Sequence, residues 1–181
     1  MLVNEEIEYK VLVLEKVFKQ ILSEMSFQEP IEQINHYYDS NDNLLLDRNI
    51  MIRVRVIDNT YRFCLKYFKD EKLLEVEKDI HTLDDINDDV EVSEFLSKLN
   101  IKQPLKYIGQ LKTIRHNIIT IDGTLSLDHN YYNGHEDYEI EYEVNTNSKE
   151  TKEYFLAFLS KYNIEYSHSI SKVKRFIQTI V

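Results

Sequence analysis

The feature of this chain that most restricts its fold is the alternation of charged and apolar residues along many short segments. In IRVRV, Arg53 and Arg55 alternate with Ile52, Val54 and Val56. Successive side chains of a β-strand point to opposite faces, so this pattern predicts a strand with one charged and one apolar face. Eight segments are predicted strands: EIEYK, INHYYDS, NIMIRVRVI, TYRFCLKYF, LLEVEKDI, QLKTIRHNIIT, GTLSLDHNY and DYEIEYEV.

The segments between these strands predict the rest of the fold. Apolar residues at helical spacing indicate amphipathic helices in VLEKVFKQILSEMSF, VSEFLSKLNI, NTNSKETKEYFLAFLSKYNI and SISKVKRFIQTI. Asn147 or Ser148 is the expected cap of the third of these helices, and Ser169 or Ser171 precedes the last helix. The short gaps Asp58-Asn59 and Asp122-Gly123 are typical of β-hairpins. We therefore expect an α+β fold in which an antiparallel sheet dominates and the helices pack outside it.

The signs of the charges are segregated by strand. One strand carries the acids Glu75 and Glu77, another carries Glu139 and Glu141, and a third carries only arginines. A solvated sheet face explains alternation on a single strand, but like charges side by side repel. Segregation across many strands favours a closed eight-stranded barrel, apolar outside and charged inside, with room for one small ligand. Charges there must be paired or must bind something.

Composition narrows the possible partners. The 181 residues fit a single domain, 1–181, and the formal net charge of −10 disfavours nucleic acid. No run approaches the ~18 apolar residues of a membrane span, so no membrane partner is expected. The single Cys64 fits a reducing compartment, hence a cytoplasmic protein, and its apolar surroundings indicate packing. The oligomeric state stays open between monomer and homodimer.

The charged residues themselves suggest a chemistry. Carboxylates without neighbouring histidine or cysteine favour a hard cation, hence Mg²⁺ or Mn²⁺, and arginine with lysine favours phosphate oxygens. Together they describe a metal-bridged polyphosphate, whose charge a metal could neutralise while water attacks. A module that binds polyphosphate or a nucleotide without chemistry is the alternative. Binding an anion needs no carboxylate cluster, so the acids favour an enzyme.

Short motifs in a fixed order make the chain resemble a known family. The opening Glu6, Glu8 and Lys10 form an ExExK motif. There follow NHYYD at 35–39, RxR at 53–55, a strand ending in Lys66, ExE at 75–77, Lys112 with Arg115, LDHNYYNG, EIE and SKVKR. This order resembles the CYTH superfamily, the triphosphate tunnel metalloenzymes, and is most similar to its small stand-alone bacterial members. The resemblance covers essentially the whole chain and implies an eight-stranded barrel that forms a tunnel.

The resemblance also implies roles for single residues. The implied metal ligands are Glu6, Glu8, Asp128, Glu139 and Glu141. The implied phosphate ligands are Lys10, Arg53, Arg55, Lys66, Arg115 and Lys172, and Glu75 and Glu77 would hold a second metal or orient the attacking water. Arg62 is a further candidate phosphate ligand, with a solvated rim position as its alternative. Lys112 has the opposite strand parity to Arg115, and we expect Arg115 to face inward.

The family contains inorganic triphosphatases, thiamine triphosphatases, small adenylyl cyclases and RNA-capping triphosphatases. This chain has no Trp for stacking a thiamine ring, no recognisable nucleobase motif, and a net charge unsuited to RNA. A bare triphosphate needs only charges, so inorganic tripolyphosphate is the expected substrate. The alternative is a nucleotide-acting relative, which would be an adenylyl cyclase or a nucleoside or thiamine triphosphatase.

Overall fold

The computed structural model describes residues 1–42 and 45–180. They form two compact units. Unit 1 comprises Met1–Glu5 and Gln33–Leu111, and unit 2 comprises Glu6–Glu32 and Lys112–Val181.

Nine strands and five helices lie in the described part of the chain. The strands are β1 Leu2–Glu5, β2 Glu8–Val13, β3 Ile31–Asp39, β4 Met51–Ile57, β5 Thr60–Lys69, β6 Lys72–Ile80, β7 Lys106–Ile119, β8 Gly123–Tyr132 and β9 His135–Val144. The helices are α1 Glu15–Glu24, α2 Asp85–Asp88, α3 Val90–Lys98, α4 Lys149–Lys161 and α5 Lys172–Ile177. The predicted α+β class with a dominant antiparallel sheet is confirmed.

In unit 1 the strand order is β1-β6-β5-β4-β3-β7. The hairpin between β4 and β5 turns on Asp58 and Asn59, whose φ angles of 46° and 62° suit a tight two-residue turn, as the sequence predicts. The apolar halves of the strands and helices α2 and α3 form one core, with Val54, Phe63 and Leu96 fully buried.

In unit 2 the strand order is β7-β8-β9-β2. Its core joins the apolar strand residues to α1 and α4, with Ile21, Ile140 and Phe155 fully buried. Gly123 opens β8 where the backbone of β9 comes close, since a Cβ there would lie 2.0 Å from the Glu143 carbonyl oxygen. This close approach explains why glycine follows Asp122.

The N-terminal segment corrects the expected strand count from eight to nine. The alternation from Glu6 to Lys10 predicts one strand, but β1 ends at Glu5 and β2 begins at Glu8. The reason is a change of partner, because β1 pairs with β6 and β2 pairs with β9. Between the two strands, the carbonyl of Ile7 accepts a hydrogen bond of 2.9 Å from the Val144 amide.

No helix in the described residues 1–42 and 45–180 has the length and apolar character that a membrane crossing requires.

Candidate functional site

Antiparallel register brings the charged residues of unit 2 together on one sheet face. Asp128 of β8 lies opposite Arg115 of β7 and opposite Glu139 of β9. Glu141 of β9 lies opposite Lys10 of β2. Because directly opposed residues share a face, the alternation seen in the sequence becomes a continuous charged surface across four strands.

Three carboxylates form the centre of this surface, and we call Asp128, Glu139 and Glu141 the acidic trio. One carboxylate oxygen of each lies within 4.8 Å of one oxygen of the other two, and Asp128 and Glu139 are fully buried. The trio surrounds the ammonium of Lys172, the first residue of α5. Its Nζ lies 2.8 Å from Asp128 Oδ2 and 2.6 Å from Glu139 Oε2, and it also donates to Glu141 Oε1.

Arg115 supplies a second positive charge to the acidic trio. Its Nε donates to Asp128 Oδ1 at 2.7 Å, one terminal nitrogen donates to Asp128 Oδ2 at 2.5 Å, and the same nitrogen reaches Glu141. Lys112 instead pairs with Glu32 at 2.9 Å and is half exposed. The strand parity that favours Arg115 over Lys112 is therefore matched by the contacts.

These charges keep each other ionised. Burial raises the pKa of the Glu141 carboxyl, but Lys172 and Arg115 outweigh burial and hold that pKa well below its usual range. Burial lowers the pKa of the Lys172 ammonium, but Asp128, Glu139 and Glu141 outweigh it and raise that pKa well above its usual range. Glu141 and Lys172 therefore keep their charges near neutral pH.

A second network fixes α5 beside the trio, and its members other than Glu139 have no predicted role in the site. Arg175 binds Asp137 at 2.8 Å and both oxygens of Glu139 at 3.0 and 3.1 Å. The Ser169 hydroxyl donates to Glu139 Oε1 at 2.5 Å, and the Tyr132 hydroxyl donates to Asp137 at 2.5 Å. Two signals were available, since Asp137 shares the parity of Glu139 and Arg175 stands three residues after Lys172 on a helix.

The remaining predicted ligands of unit 2 are Lys10, Glu8 and Glu6, and Lys10 lies opposite Glu141 of the trio. Lys10 donates to Glu8, and both side chains are largely buried, whereas Glu6 lies between β1 and β2. In the described residues, the acid groups gathered closely enough for one metal ion include neither Glu6 nor Glu8. Their assignment as ligands stays a prediction.

Unit 1 carries a charged face of its own, built in the same way. Register sets Arg53 opposite Cys64 and Cys64 opposite Glu77, with Lys66 opposite Glu75. Glu75 pairs with Arg53 at 3.2 Å and with Lys66 at 3.8 Å.

The outer part of this face holds the other two predicted cations. Arg55 lies 3.9 Å from Glu77, and its Nε donates to Asn35 at 3.4 Å. Arg62 lies 3.7 Å from Glu77 and 2.7 Å from Asp79, with 43% of its side chain exposed against 9% for Arg53. Arg62 therefore lies at the solvated end of the face, as the alternative for this residue anticipates.

Cys64 sits within this face and is fully buried. Burial raises the pKa of its thiol to about 12, so the thiolate that a nucleophile requires is disfavoured. This agrees with the packing role expected for it. Sγ lies 3.6 Å from Glu77, and donor atoms of Cys64, Glu75 and Glu77 fall within 4.8 Å of one another.

The donor set of unit 2 fits a hard divalent cation. Three carboxylates offer oxygen ligands and negative charge in one small volume, which is what Mg²⁺ and Mn²⁺ require. The arrangement already gathers around a positive group, the Lys172 ammonium. The class defined by the fold and these contacts is an α+β protein whose antiparallel sheet faces present paired acids and bases.

Comparison with known proteins identifies the family. The CYTH domain model matches residues 4–177. YjbK of Bacillus subtilis (strain 168) is 31% identical over 180 residues, which cover 96% of this chain and 94% of YjbK. A Bacillus halodurans protein of known structure is 31% identical with a TM-score of 0.85, covering 97% of this chain and 99% of its own. The chain therefore belongs to the CYTH family.

A more distant structure shows how far the fold extends. HpAC1 from Hippeastrum is 19% identical, with a TM-score of 0.80 over 97% of each chain. The match at this low identity shows a shared fold.

Proposed function

We propose that this protein is a metal-dependent triphosphatase whose preferred substrate is inorganic tripolyphosphate. The observation that carries the proposal is the acidic trio, in which Asp128 and Glu139 are fully buried and Glu141 is partly buried, in direct contact with Lys172 and Arg115. Acids and bases held together in this way suit a ligand that is itself a cation joined to a polyanion.

The relatives support this class of chemistry. YjbK carries the name "Putative triphosphatase YjbK". The Bacillus halodurans structure is described as "a putative adenylate cyclase". Both activities would act on a triphosphate, so the shared phosphate chain is the part of the substrate that the proposal rests on most firmly.

Each group of residues has a part in the proposal. The acidic trio would hold Mg²⁺ or Mn²⁺, with Glu6 and Glu8 as further candidate ligands. When bound, the ion would neutralise phosphate charge and activate water. Lys172, Arg115 and Lys10 would bind phosphate oxygens through charge-assisted hydrogen bonds. Arg53, Arg55, Lys66 and Arg62 are proposed to bind phosphate too, with Glu75 and Glu77 holding a second ion or orienting water.

The proposal treats 1–181 as one CYTH domain that acts on a small molecule. It includes neither a nucleic-acid nor a membrane partner, and the protein would act as a monomer or homodimer.

A test of the trio's role uses Glu141→Gln, which keeps the size of the side chain and removes its charge. Phosphate release from tripolyphosphate should fall by about two orders of magnitude or more, since metal charge stabilisation supplies several kcal/mol. The matched control is Glu153→Gln on the exposed face of α4, which should keep full activity. Full activity of the Glu141 variant would reject the metal role.

The Bacillus halodurans description keeps a second candidate open, in which ATP is cyclised rather than hydrolysed. The two functions differ in product. Accumulation of cyclic AMP from ATP would establish the cyclase and overturn the triphosphatase. Saturable binding of tripolyphosphate with no phosphate release under any metal would instead establish a binding module.

A further inference from the structure

The Lys172 ammonium lies among the carboxylates that the proposed function assigns to a metal ion. Its ammonium donates to one oxygen of each member of the acidic trio. Those are oxygens that a divalent cation would have to bind. A divalent ion and an ammonium repel each other and would compete for the same lone pairs, so both cannot make these contacts together.

We propose that Lys172 is an internal cation that holds the acidic trio in the ligand-free protein and moves to the phosphate when metal and triphosphate bind. This inference deepens the proposed function and rests on it. Lys172 then serves two states, as a counter-ion of carboxylates in one and a phosphate ligand in the other. The trio then has a positive partner in both states. Without such a partner, its buried negative charges would destabilise the fold.

The contacts around Lys172 indicate that its side chain can move while its helix stays. Arg175, one turn further along α5, is held by Asp137 and Glu139, and it also donates to the Ile170 carbonyl at 2.6 Å. Phe176 of the same helix is fully buried. These anchors do not include the Lys172 side chain, so the exchange needs rotation of one flexible side chain and no undocking of α5.

The exchange makes metal and triphosphate binding cooperative. Metal alone must displace the ammonium from its three carboxylate partners. When a triphosphate is present, its oxygens accept that ammonium and the trio is released to the metal. By reciprocity, metal must tighten triphosphate binding by the same factor, and couplings of this kind are typically about 5- to 150-fold.

The test measures Mn²⁺ binding directly by electron paramagnetic resonance, without turnover. In the wild-type protein, Mn²⁺ affinity should rise about tenfold or more when imidotriphosphate, a triphosphate analogue that resists hydrolysis, is present, after correction for Mn²⁺ bound by the analogue in solution. In Lys172→Met, Mn²⁺ alone should bind about tenfold tighter than in the wild type, and the coupling should fall about tenfold, because only the direct attraction between metal and phosphate remains.

Lys174→Met is the matched control, since it removes the same charge from an exposed position on α5. It should leave Mn²⁺ affinity and coupling unchanged. Equal or weaker Mn²⁺ binding in Lys172→Met, or no coupling in the wild-type protein, would overturn the inference. If the Met variant unfolds, Lys172→Gln, which also removes the charge but keeps a polar side chain, is measured in its place with the same expected result. Phosphate release by the wild-type protein is assayed separately, so failure of the exchange and failure of the triphosphatase proposal are told apart.

Discussion

At the scale of single residues, the charged groups are held by direct contact with opposite charges. Glu139 receives three donors, from Lys172, Arg175 and Ser169, and is fully buried. Removing one partner of a buried pair leaves the other uncompensated, which costs about 3–5 kcal/mol. Substitutions at this face therefore affect folding as well as chemistry, and each activity measurement needs a stability measurement beside it.

A prediction at this scale concerns Arg53, whose guanidinium is nearly buried beside Glu75. Arg53→Ala should reduce kcat/KM for every triphosphate by a similar factor, because the proposed contact is to the phosphates that all of them share. The loss should be about 2–4 kcal/mol in transition-state free energy, the range for a charge-assisted contact at a buried site. Steady-state phosphate release with tripolyphosphate, ATP and thiamine triphosphate measures it.

The exposed Arg48 of the same unit provides the control, and Arg48→Ala should leave all three rates unchanged. A variant of Arg53 that loses ATP turnover while sparing tripolyphosphate would point to a pocket for the organic group, contrary to the proposal.

At the scale of elements, period-two alternation predicts the strands well because burial on one face imposes that period. The start of α4 was predictable too, because polar residues often precede a helix. Ser148 caps α4 by accepting a hydrogen bond from the Thr151 amide. The break at Glu6 and Ile7 could not be predicted, since the alternation runs through it. It depends on which strands β1 and β2 pair with, and pairing partners far along the chain leave no local signal.

Helix α3 offers a prediction at this scale, because it begins at a charged cap. The Asp89 carboxylate accepts from the Val92 amide at 3.0 Å and binds Lys78 at 2.6 and 2.7 Å. Asp89→Ala should lower the free energy of unfolding by about 1–2 kcal/mol at pH 7, as loss of a cap does. Urea unfolding followed by circular dichroism measures it, with the exposed neighbour variant Asp88→Ala as a control that changes little.

The same residue gives a pH dependence. Burial raises the pKa of Asp89, but Lys78 and the Val92 amide outweigh burial and lower it below its ordinary value. A carboxyl with a lowered pKa stabilises the fold above the unfolded-state pKa of about 4, and this contribution is lost as the pH falls through the folded value. The stability difference between wild type and Asp89→Ala should therefore shrink between pH 5 and pH 3. A difference that stays constant over this range would show that the charge of Asp89 contributes nothing.

At the scale of the whole molecule, the family could be recognised from the order of short motifs, because most of these motifs lie on charged strand faces that follow one another in a fixed order. The ion pairs within each charged face could not be predicted from the sequence in the same way. Register decides that Arg115 meets Asp128 and that Arg53 comes near Glu75, and one residue of slip would change every pair. The contribution of Arg175 and Asp137 appears only when α5 is docked.

The whole chain carries a net charge of −10, yet its proposed substrate is a polyanion. Recognition must therefore come from local cations and from a metal ion, and not from the overall field. This is why metal dependence is the central claim for the molecule as a whole.

The most direct measurement is phosphate release by the purified protein from tripolyphosphate, ATP, thiamine triphosphate and pyrophosphate, each with Mg²⁺, with Mn²⁺ and with excess chelator. We expect tripolyphosphate to have the highest kcat/KM, because an organic group adds bulk without binding energy that is realised in the transition state. We also expect no release in chelator and its recovery when metal is restored. Undiminished hydrolysis in chelator, or no hydrolysis of any triphosphate with either metal, would contradict the account.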